Sequence, residues 1–563
     1  MSPSGVYPRS LDYEWSEKNG FVVLWTKPGH WHRTGVSLAD SAYRERTKSQ
    51  LQRLIRDNGL AHIKYDGFIA REERAHHDLL PGDDSVEPLA RYSLELIQAS
   101  KQANPELVSE PTYLNSVANY ISPWILKYAD TVWANSGGDC PRGLGPAPEY
   151  REAHTTAREY YIFSSLNEVW LPQNALQYFD IVHCDPGAGF PNHAAMAFGR
   201  GRFFVATYVN PLFMTEEDWR IYAGLLRWAR ANHDLLRNTI VLPSRVERGE
   251  PYAYAHWLGA RGIIAVRNPS NESKEYALDL RAAGAPTQLA DAVCYTQYPY
   301  RKGIAAGVTA KGPVSLKLAP WELLFLEITP RSELKEPVVV GGRWYPGAGD
   351  ALVAPDYDVD RLRLLQPGGA ESVHRAPIRS RGEVSGEVRS LAATRQPDNA
   401  WFTQSGERLP TIAFDLECTA AVPREASEGH VLLLVEYPGR QHRPSNCQVT
   451  LNGTLAKLRQ SSSEGHIGYY ASRPDGYGKE VLPFESEWTW YICDVPPGQS
   501  TIRFAGTAAD PNCRLGLWMW VDFDTAVRQQ VLPFSCSPPQ LPRYLDYRER
   551  YGICVRDPTK LTV

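Results

Sequence analysis

Residues 59–68, GLAHIKYDGF, place a lysine and a carboxylate at the end of one predicted strand. The residues at 62–65 alternate in the manner of a short strand, and the amphipathic helix predicted at 41–58 runs into it through Gly59. The Asp66-Gly67 pair ends the strand. A helix, a strand and then a polar residue are the order expected at the carboxyl edge of a parallel barrel. There the loops vary freely, while the strands hold reactive groups rigidly.

Further segments follow the same alternation of strand and helix. They are GVSLAD at 35–40, LVSE at 107–110, TVWAN at 131–135 followed by SGGD at 136–139, and FFVATY at 203–208 followed by a helix at 215–232. Strands that alternate with helices indicate a parallel sheet with helices packed against it.

Together these segments resemble glycoside hydrolase clan D, the α-galactosidase or melibiase superfamily, most closely its family 36-like members. In that clan a Lys-aromatic-Asp triplet closes the fourth barrel strand, and here the triplet is Lys64-Tyr65-Asp66. The resemblance covers about residues 30–330 and implies a (β/α)8 TIM-type barrel, incomplete at its amino terminus because the family's first strands and amino-terminal β-sandwich precede this point. We therefore expect the chain to be the carboxyl portion of a longer enzyme.

The resemblance implies that Asp66 is the nucleophile of a retaining glycosidase, which forms a covalent glycosyl intermediate. Lys64 lies two residues earlier on the same strand face, and its ammonium would keep Asp66 ionised and bind sugar hydroxyls. An isolated match of this kind is more often an ordinary Asp-Gly turn. The flanking segments, which occur in the family's order, favour the catalytic interpretation.

The second carboxyl group, the acid/base, is assigned to Asp139, with Asp130 as the alternative. In the family's commonest form the catalytic Asp follows a Trp by three residues, whereas Trp133 is followed at that distance by Ser136. Asp139 comes three residues later still, where a loop could carry it over the site. Asp130 resembles another branch of the clan, but it begins the strand and so belongs to the opposite edge. This departure leaves open a changed specificity or a lost activity.

Four other residues are candidates for substrate binding: Glu110 and Asp40 at strand ends, Trp133 as a stacking ring, and Asp185 after the predicted seventh strand. Each is equally consistent with a structural role. The sequence has no phosphate-binding loop, dinucleotide-binding glycine pattern or nucleophile elbow, so no cofactor is predicted. The run His76-His77-Asp78 lacks the spacing of a third ligand, so we predict a solvated loop there and no metal.

Composition restricts the partners. Charged residues make up 22% of the 563 residues and the net charge is −4, which excludes a basic nucleic-acid footprint. The 16 Trp and 30 Tyr suit a carbohydrate ligand. No apolar run approaches ~18 residues, so no membrane span is predicted. The first twenty residues lack the apolar run of a signal peptide, so export would require a signal upstream of Met1. The compartment and the oligomeric state are left open.

We predict four segments: a partial barrel at 1–242, an antiparallel β-sandwich at 243–331, a linker and irregular segment at 332–397, and a jelly-roll-like module at 398–563 that could bind carbohydrate. In the last segment Trp488 and Trp490 share one strand face, as do Trp518 and Trp520. These pairs either fill the sandwich core or bind glycans. Six cysteines lie in this part and are either disulfide-bonded or free: Cys418, Cys447, Cys493, Cys513, Cys536 and Cys554.

Two hypotheses follow. The first is a retaining hydrolase of α-galactosides or related α-linked sugars. The second is a glycan-binding protein with a degenerate glycosidase barrel, prompted by Ser136 and by the missing strands.

Overall fold

The computed structural model describes most of the chain. The described residues are 11–24, 35–65, 68, 71–72, 74–111, 127–133, 151–152, 155–156, 158–160, 162–163, 172–177, 180–183, 189–201, 204–244, 246–247, 249–356, 359–378, 383–390, 406–424, 426–438, 443–462, 486–524, 530–538, 548–549 and 552–554. They form two compact units. The first contains residues 1–136, 168–180 and 202–206, and the second contains 137–167, 181–201 and 207–563.

The first unit is an α/β structure with short strands. Its helices are α1 (Leu11–Lys18), α2 (Ser41–Asn58) and α3 (Val86–Ala103). Its strands are β1 (Val23–Leu24), β2 (Gly35–Val36), β3 (His62–Tyr65), β4 (Val108–Pro111), β5 (Val132–Trp133) and β6 (Leu176–Gln177).

Helix α2 has the bounds that the sequence predicts, because both ends are capped. The Asp40 carboxylate accepts the Tyr43 backbone N–H at 3.1 Å at the amino terminus. At the carboxyl terminus Gly59 adopts a φ of 60°, which glycine tolerates best, and donates its N–H to the Ile55 carbonyl. Leu51 and Ile55 are buried on the inner face of the helix.

The strands of the first unit pair in parallel. Strand β3 pairs with β4, with Lys64 opposite Glu110, and β5 pairs with β6. Strand β5 begins beside β4, because the backbone N–H groups of Asp130 and Thr131 donate to the Ser109 carbonyl at 3.0 and 3.3 Å. The predicted parallel alternation is therefore present, and polar residues of β3 and β4 lie side by side.

The second unit opens with a further α/β segment. Strands β7 (Ile181–His183) and β8 (Thr207–Val209) pair in parallel, and the helices are α4 (Phe190–Gly199), α5 (Glu216–Ala231) and α6 (His233–Leu236). The helix predicted at 215–232 is confirmed. Thr215 and Asp218 form a reciprocal capping box at its start, and Asn232 caps its end.

A β-domain follows, built on a twelve-stranded sheet. The strands of this domain are β9 (Thr239–Leu242), β10 (Tyr252–Leu258), β11 (Arg261–Arg267), β12 (Lys274–Asp279), β13 (Ala292–Tyr298), β14 (Arg301–Val308), β15 (Pro313–Leu318), β16 (Leu323–Pro330), β17 (Val338–Val340), β18 (Gly342–Pro346), β19 (Ala351–Pro355), β20 (Arg361–Leu365) and β21 (Glu371–Arg375). Strands β12 and β15 form a separate antiparallel pair, and β31 (Gln530–Leu532) completes the large sheet. Nearly all pairings are antiparallel, and the exception is β14 with β17.

The prediction of a linker and irregular segment at 332–397 is wrong. This stretch contributes strands β17 to β21 to the large sheet, and β22 (Glu383–Ser390) to the next one. The strands at 338–375 are only three to five residues long. These short strands are stabilised because their apolar residues pack in one core with Val293, Leu532 and Phe534, which are distant in sequence.

The carboxyl-terminal module consists of two antiparallel sheets. Its remaining strands are β23 (Ile412–Val422), β24 (Glu428–Pro438), β25 (Ser445–Leu451), β26 (Thr454–Leu455), β27 (Leu458–Ser462), β28 (Ser486–Val495), β29 (Gly498–Ala508), β30 (Arg514–Asp524), β32 (Arg548–Glu549) and β33 (Gly552–Cys554). One sheet has the order β22-β23-β29-β25-β26, and the other contains β27-β28-β24-β30-β32 with β33 paired to β30. Alternate residues of both sheets form one apolar core, as in a sandwich.

The four paired tryptophans are buried, but on the other face of their sheet. Trp488, Trp490 and Trp518 are each 1% exposed and Trp520 is 5% exposed. They form a separate cluster with Leu432, Leu434, Ile492 and Trp321 of the β-domain. We call this group of eight residues the Trp face. The four rings therefore neither fill the sandwich core nor form an exposed glycan-binding surface, which were the two predicted alternatives. They pack against Trp321, in a neighbouring part of the same unit.

Five of the six cysteines in the module are free thiols: Cys418, Cys447, Cys493, Cys513 and Cys536. The alternative of disulfide bonds is wrong for these five. Within the described residues, no helix is both long and apolar enough to cross a membrane.

Candidate functional site

The candidate site of the first unit is built around Lys64. The Lys64 ammonium lies 3.5 Å from the centroid of the Trp133 ring, a close cation–π contact between β3 and β5. Glu110 is the register partner of Lys64 on β4 and is buried. The Glu110 carboxylate is 2.9 Å from His62 Nε2. We call His62, Lys64, Glu110 and Trp133 the Lys64 cluster.

The alternation of strand β3 explains why this cluster forms. His62 and Lys64 point to one side, while Ile63 and Tyr65 are buried on the other. The predicted grouping of Lys64, Glu110 and Trp133 is therefore present in the structure. His62 was not among the predicted site residues, although its position two residues before Lys64 could have identified it.

The charge on Glu110 is governed by its burial. Removal from water raises the pKa of the Glu110 carboxyl, while the hydrogen bond to His62 and the charges of His62 and Lys64 oppose this rise. The charge of Asp180 adds to the rise. The lysine and the histidine thus help to keep this buried carboxylate ionised.

Asp180 and Phe204 are neighbours of the Lys64 cluster. Asp180 is buried and accepts hydrogen bonds from Gln177 Nε2 at 2.7 Å and from the Ala206 N–H at 3.1 Å. Phe204 stacks on the His62 ring, with centroids 5.1 Å apart, and it is 39% exposed. A half-exposed apolar ring beside hydrogen-bonding groups is a suitable surface for the C–H face of a sugar.

The alternative acid/base, Asp130, has a different set of contacts. Its carboxylate accepts the Ser109 backbone N–H at 2.8 Å, the Ser109 hydroxyl at 3.1 Å and the Lys101 ammonium at 2.6 Å. Because Ser109 alternates with Glu110 on β4, Asp130 joins the face of the strand that points away from the Lys64 cluster. Asp130, which precedes β5, is thus tied to β4 and to α3 by structural hydrogen bonds.

Three predicted site residues, Asp66, Asp139 and Asp185, lie outside the described residues. Asp66 follows Tyr65, the last residue of β3, directly in sequence. Asp40, predicted to bind substrate, serves as the amino-terminal cap of α2.

A second polar group surrounds Glu72. The Glu72 side chain is buried and accepts the Ser37 hydroxyl at 2.6 Å, and its other oxygen contacts His76 Nε2. Burial raises the pKa of Glu72 to about 7 against the lowering effect of Ser37. Burial lowers the pKa of His76, and the neighbouring His77 lowers it further while Asp40 raises it. The two shifts have the same cause, since burial disfavours the charged form of both the carboxyl and the imidazole.

The predicted solvated loop at His76-His77-Asp78 is only partly correct. His77 and Asp78 are exposed and adopt positive φ angles of 47° and 60°, but His76 is held against buried Glu72. Glu72 was missed because its partner Ser37 is 35 residues away, and no local pattern links them. Among the residues that the structure describes, no group of three His, Cys, Asp or Glu side chains is arranged to hold a metal ion.

Chemically, the Lys64 cluster offers a cation in contact with an indole ring and, on the neighbouring strand, a buried carboxylate that is hydrogen-bonded to an imidazole. Such a set binds hydroxyl groups through charge-assisted hydrogen bonds and keeps a neighbouring carboxylate ionised. The cluster therefore has the features of a polar binding site at the ends of parallel strands.

Comparison with known proteins gives structural matches only. No family model matches the chain, and no curated protein sequence matches it. Solved structures similar to it include a glycoside hydrolase family 36 α-galactosidase from Geobacillus stearothermophilus in complex with 1-deoxygalactonojirimycin, at 12% identity and a TM-score of 0.41. An α-galactosidase from Lactobacillus brevis is 14% identical with a TM-score of 0.41. An α-amylase from Geobacillus thermoleovorans, complexed with acarbose, is 9% identical with a TM-score of 0.39.

Each of these similarities covers 58% of this chain. It covers 44% of each α-galactosidase and 76% of the α-amylase, so the chain spans less than half the length of the two α-galactosidases. The 1-deoxygalactonojirimycin and the acarbose are ligands of those two proteins. The chain is thus similar to parts of these α-galactosidases and of this α-amylase.

Proposed function

We propose that the chain hydrolyses α-galactosides or related α-linked sugars by a double displacement with retention of configuration. Asp66 is the nucleophile and Asp139 the acid/base. The observation that supports this proposal most is the position of Lys64 near the end of β3, two residues before Asp66, where it contacts Trp133 and faces Glu110. A carboxylate at this point would have a cation beside it and hydroxyl-binding groups around it.

In the proposed reaction, Asp66 attacks the anomeric carbon while Asp139 protonates the departing glycosidic oxygen. Water, deprotonated by Asp139, then attacks the same carbon and releases Asp66. Lys64 and Glu110 bind sugar hydroxyls in both steps, and Trp133 supports the position of the lysine. No cofactor takes part in this scheme.

The test uses an aryl α-galactoside with the full chain. We expect Asp66→Asn to lower kcat/KM by about 10³-fold or more, since an amide cannot form the glycosyl ester. Asp139→Asn should slow a substrate with a poor leaving group far more than an activated aryl substrate. Asp130→Asn is the matched control, because its carboxylate bonds Ser109 and Lys101. Hydrolysis that survives Asp66→Asn unchanged would overturn the proposal.

A chemical rescue would identify Asp66 more directly. In Asp66→Gly the carboxylate is absent, and added azide can attack the anomeric carbon from the face left open while the aryl alcohol departs. The product expected from an α-galactoside is the β-galactosyl azide, which NMR distinguishes from the α anomer. Rescue that yields the α-azide, or equal rescue in Asp130→Gly, would contradict the assignment.

The second candidate is a glycan-binding protein without turnover. The observation in its favour is Ser136, three residues after Trp133, where the resembled family has its catalytic Asp. It predicts saturable binding of galactosides with no product release over hours. A steady rate that depends on Asp66 would exclude it.

A further inference from the structure

A cleft of about 880 Å³ lies in the second unit, and the proposed reaction does not use it. It is formed by the carboxyl end of α5, by the β13, β14 and β16 region of the large sheet, and by residues 333–338 and 537–538. This volume is in the range of small-molecule sites.

One side of the cleft is organised around Glu327, which is nearly buried. Arg261 donates to both carboxylate oxygens, at 2.9 and 3.2 Å, and the Thr329 hydroxyl donates at 3.0 Å. Gln297 Nε2 also contacts Glu327, while its oxygen accepts the Trp228 indole N–H at 3.0 Å. Planar side chains that are fixed in this way lose little entropy when a ligand binds.

Two other lining residues, Arg301 and Trp344, each have a buried N–H donor without a hydrogen-bond acceptor in the described part of the chain. The buried Arg301 Nη1 is 3.3 Å from Glu336 but makes no hydrogen bond in the described part of the chain. The indole N–H of Trp344 likewise makes no hydrogen bond in the described part of the chain, and the Trp344 residue is 2% exposed. Glu336 also accepts the Ser537 backbone N–H at 3.3 Å. Buried donors of this kind cost free energy unless a ligand or water supplies an acceptor.

The charges that line the cleft balance. The cations are Arg261, Arg301 and Lys335, and the carboxylates are Glu327, Glu333 and Glu336. A strongly anionic or cationic ligand would gain nothing overall from this set. A ligand with many hydroxyl groups would donate to the carboxylates and accept from the Arg301 and Trp344 N–H groups that make no hydrogen bond in the described part of the chain. Tyr295, which packs on Trp344 with centroids 6.4 Å apart, adds an aromatic surface.

We propose that this cleft binds a neutral saccharide, independently of the Lys64 cluster. Arg301, Trp344 and Glu336 make the contacts to its hydroxyl groups, and the Arg261–Glu327–Gln297 network forms a rigid wall. The site does not depend on the proposed hydrolysis and would persist in a chain that lacks turnover.

The test measures binding in the full chain that carries Lys64→Met, so that the Lys64 cluster does not contribute. The probes are galactose, melibiose, maltose and raffinose, with galacturonate as the charged counterpart of galactose. They are followed by saturation-transfer NMR and calorimetry. We expect at least one neutral sugar to bind with a Kd on the order of 1 mM, and galactose to bind no more weakly than galacturonate.

Arg301→Ala and Glu336→Gln should each weaken this binding by tenfold or more. Arg363→Ala is the control, because Arg363 pairs with Glu371 at 2.8 Å at an exposed position of the same sheet. Thermal unfolding shows whether each variant folds, and Glu336→Gln, which is nearly isosteric, carries the test if Arg301→Ala does not. Absence of binding by every neutral probe, binding of galacturonate alone, or equal affinity in Glu336→Gln and Arg363→Ala would each overturn the proposal.

Discussion

The parallel strands of the first unit and the antiparallel strands of the carboxyl-terminal sandwich differ in length and in what they bury. Strands β3 and β4 have four residues each and bring the charged side chains of Lys64 and Glu110 together. Strands β23, β24 and β30 have eleven residues each, and their inward residues form an apolar core. Long apolar strands supply stability, whereas short strands that end in polar residues present chemistry at their ends.

The largest effect is expected from Trp490→Ala on the Trp face. Trp490 is 1% exposed, and its ring centroid is 5.1 Å from that of Trp518. Its removal should destabilise the module by about 4 kcal/mol, from lost apolar burial and the cavity left behind. The measurement is the urea midpoint of the transition followed by tryptophan fluorescence. Leu455→Ala, at a position that is 70% exposed, is the control and should change stability by less than about 0.5 kcal/mol.

If the division between the regions holds, the Trp490→Ala protein that remains folded should retain its activity per molecule. A parallel loss of activity and stability would contradict the comparison, because it would make the Trp face part of the site.

Lys64→Met tests the parallel strands of the first unit. The substitution keeps an apolar stem against Trp133 but removes the cation, so we expect kcat/KM to fall by about 10²-fold with an aryl α-galactoside. The melting temperature should change little, since Lys64 is only half-buried. Lys101→Met is a matched control: its ammonium bonds Asp130 at 2.6 Å, away from the cluster. Equal losses of activity in both variants would contradict a specific role of the Lys64 cation in the reaction.

Glu72→Gln tests whether a buried carboxyl in the first unit reduces stability. Burial raises the pKa of Glu72 to about 7 in the folded chain, whereas the unfolded carboxyl titrates near its usual value of 4.5. Between these values the folded state holds more protons than the unfolded state, so the free energy of unfolding falls as pH rises from 4.5 to 7. The total fall is about 3 kcal/mol, and it is complete about one pH unit above the folded pKa, at about pH 8.

The amide of Glu72→Gln does not titrate, so this slope should disappear from its stability profile. Urea unfolding of both proteins at pH 5, 6, 7 and 8 measures it. The two proteins should differ most in slope between pH 5 and 7 and run in parallel at pH 8. Parallel profiles throughout would show that Glu72 titrates at an ordinary pKa.

Several elements could be predicted from the sequence because their determinants are local. The helix at Ser41–Asn58 follows from Asp40 as its cap, Gly59 as its stop and an amphipathic pattern between them. The strand at His62–Tyr65 follows from alternation, and it carries Lys64 into the site. These signals lie within a few residues of the element that they define, so no knowledge of the tertiary fold is needed.

The rest depends on residues that are distant in sequence. The strands within 332–397 were missed because Pro, Gly and charged residues dominate their composition, and tertiary contacts with Val293 and Leu532 stabilise them. Alternation placed Trp488 and Trp490 on one face but cannot indicate which face meets the core. The buried state of Glu72 depends on Ser37 and His76, which the fold alone brings to it.

The smallest effect is expected from reductant on the sandwich. Cys418 and Cys493 are buried free thiols in its core, and burial raises the pKa of Cys418 to about 12 and that of Cys493 to about 11. Protonated, inaccessible thiols react slowly, so a thiol reagent should label them in urea and not in buffer. Dithiothreitol should leave the urea midpoint of the module unchanged, because the core holds the two sheets together without a cross-link. A loss of about 2 kcal/mol or more under reductant would reveal a disulfide and would move part of the stability from the long apolar strands to a covalent bond.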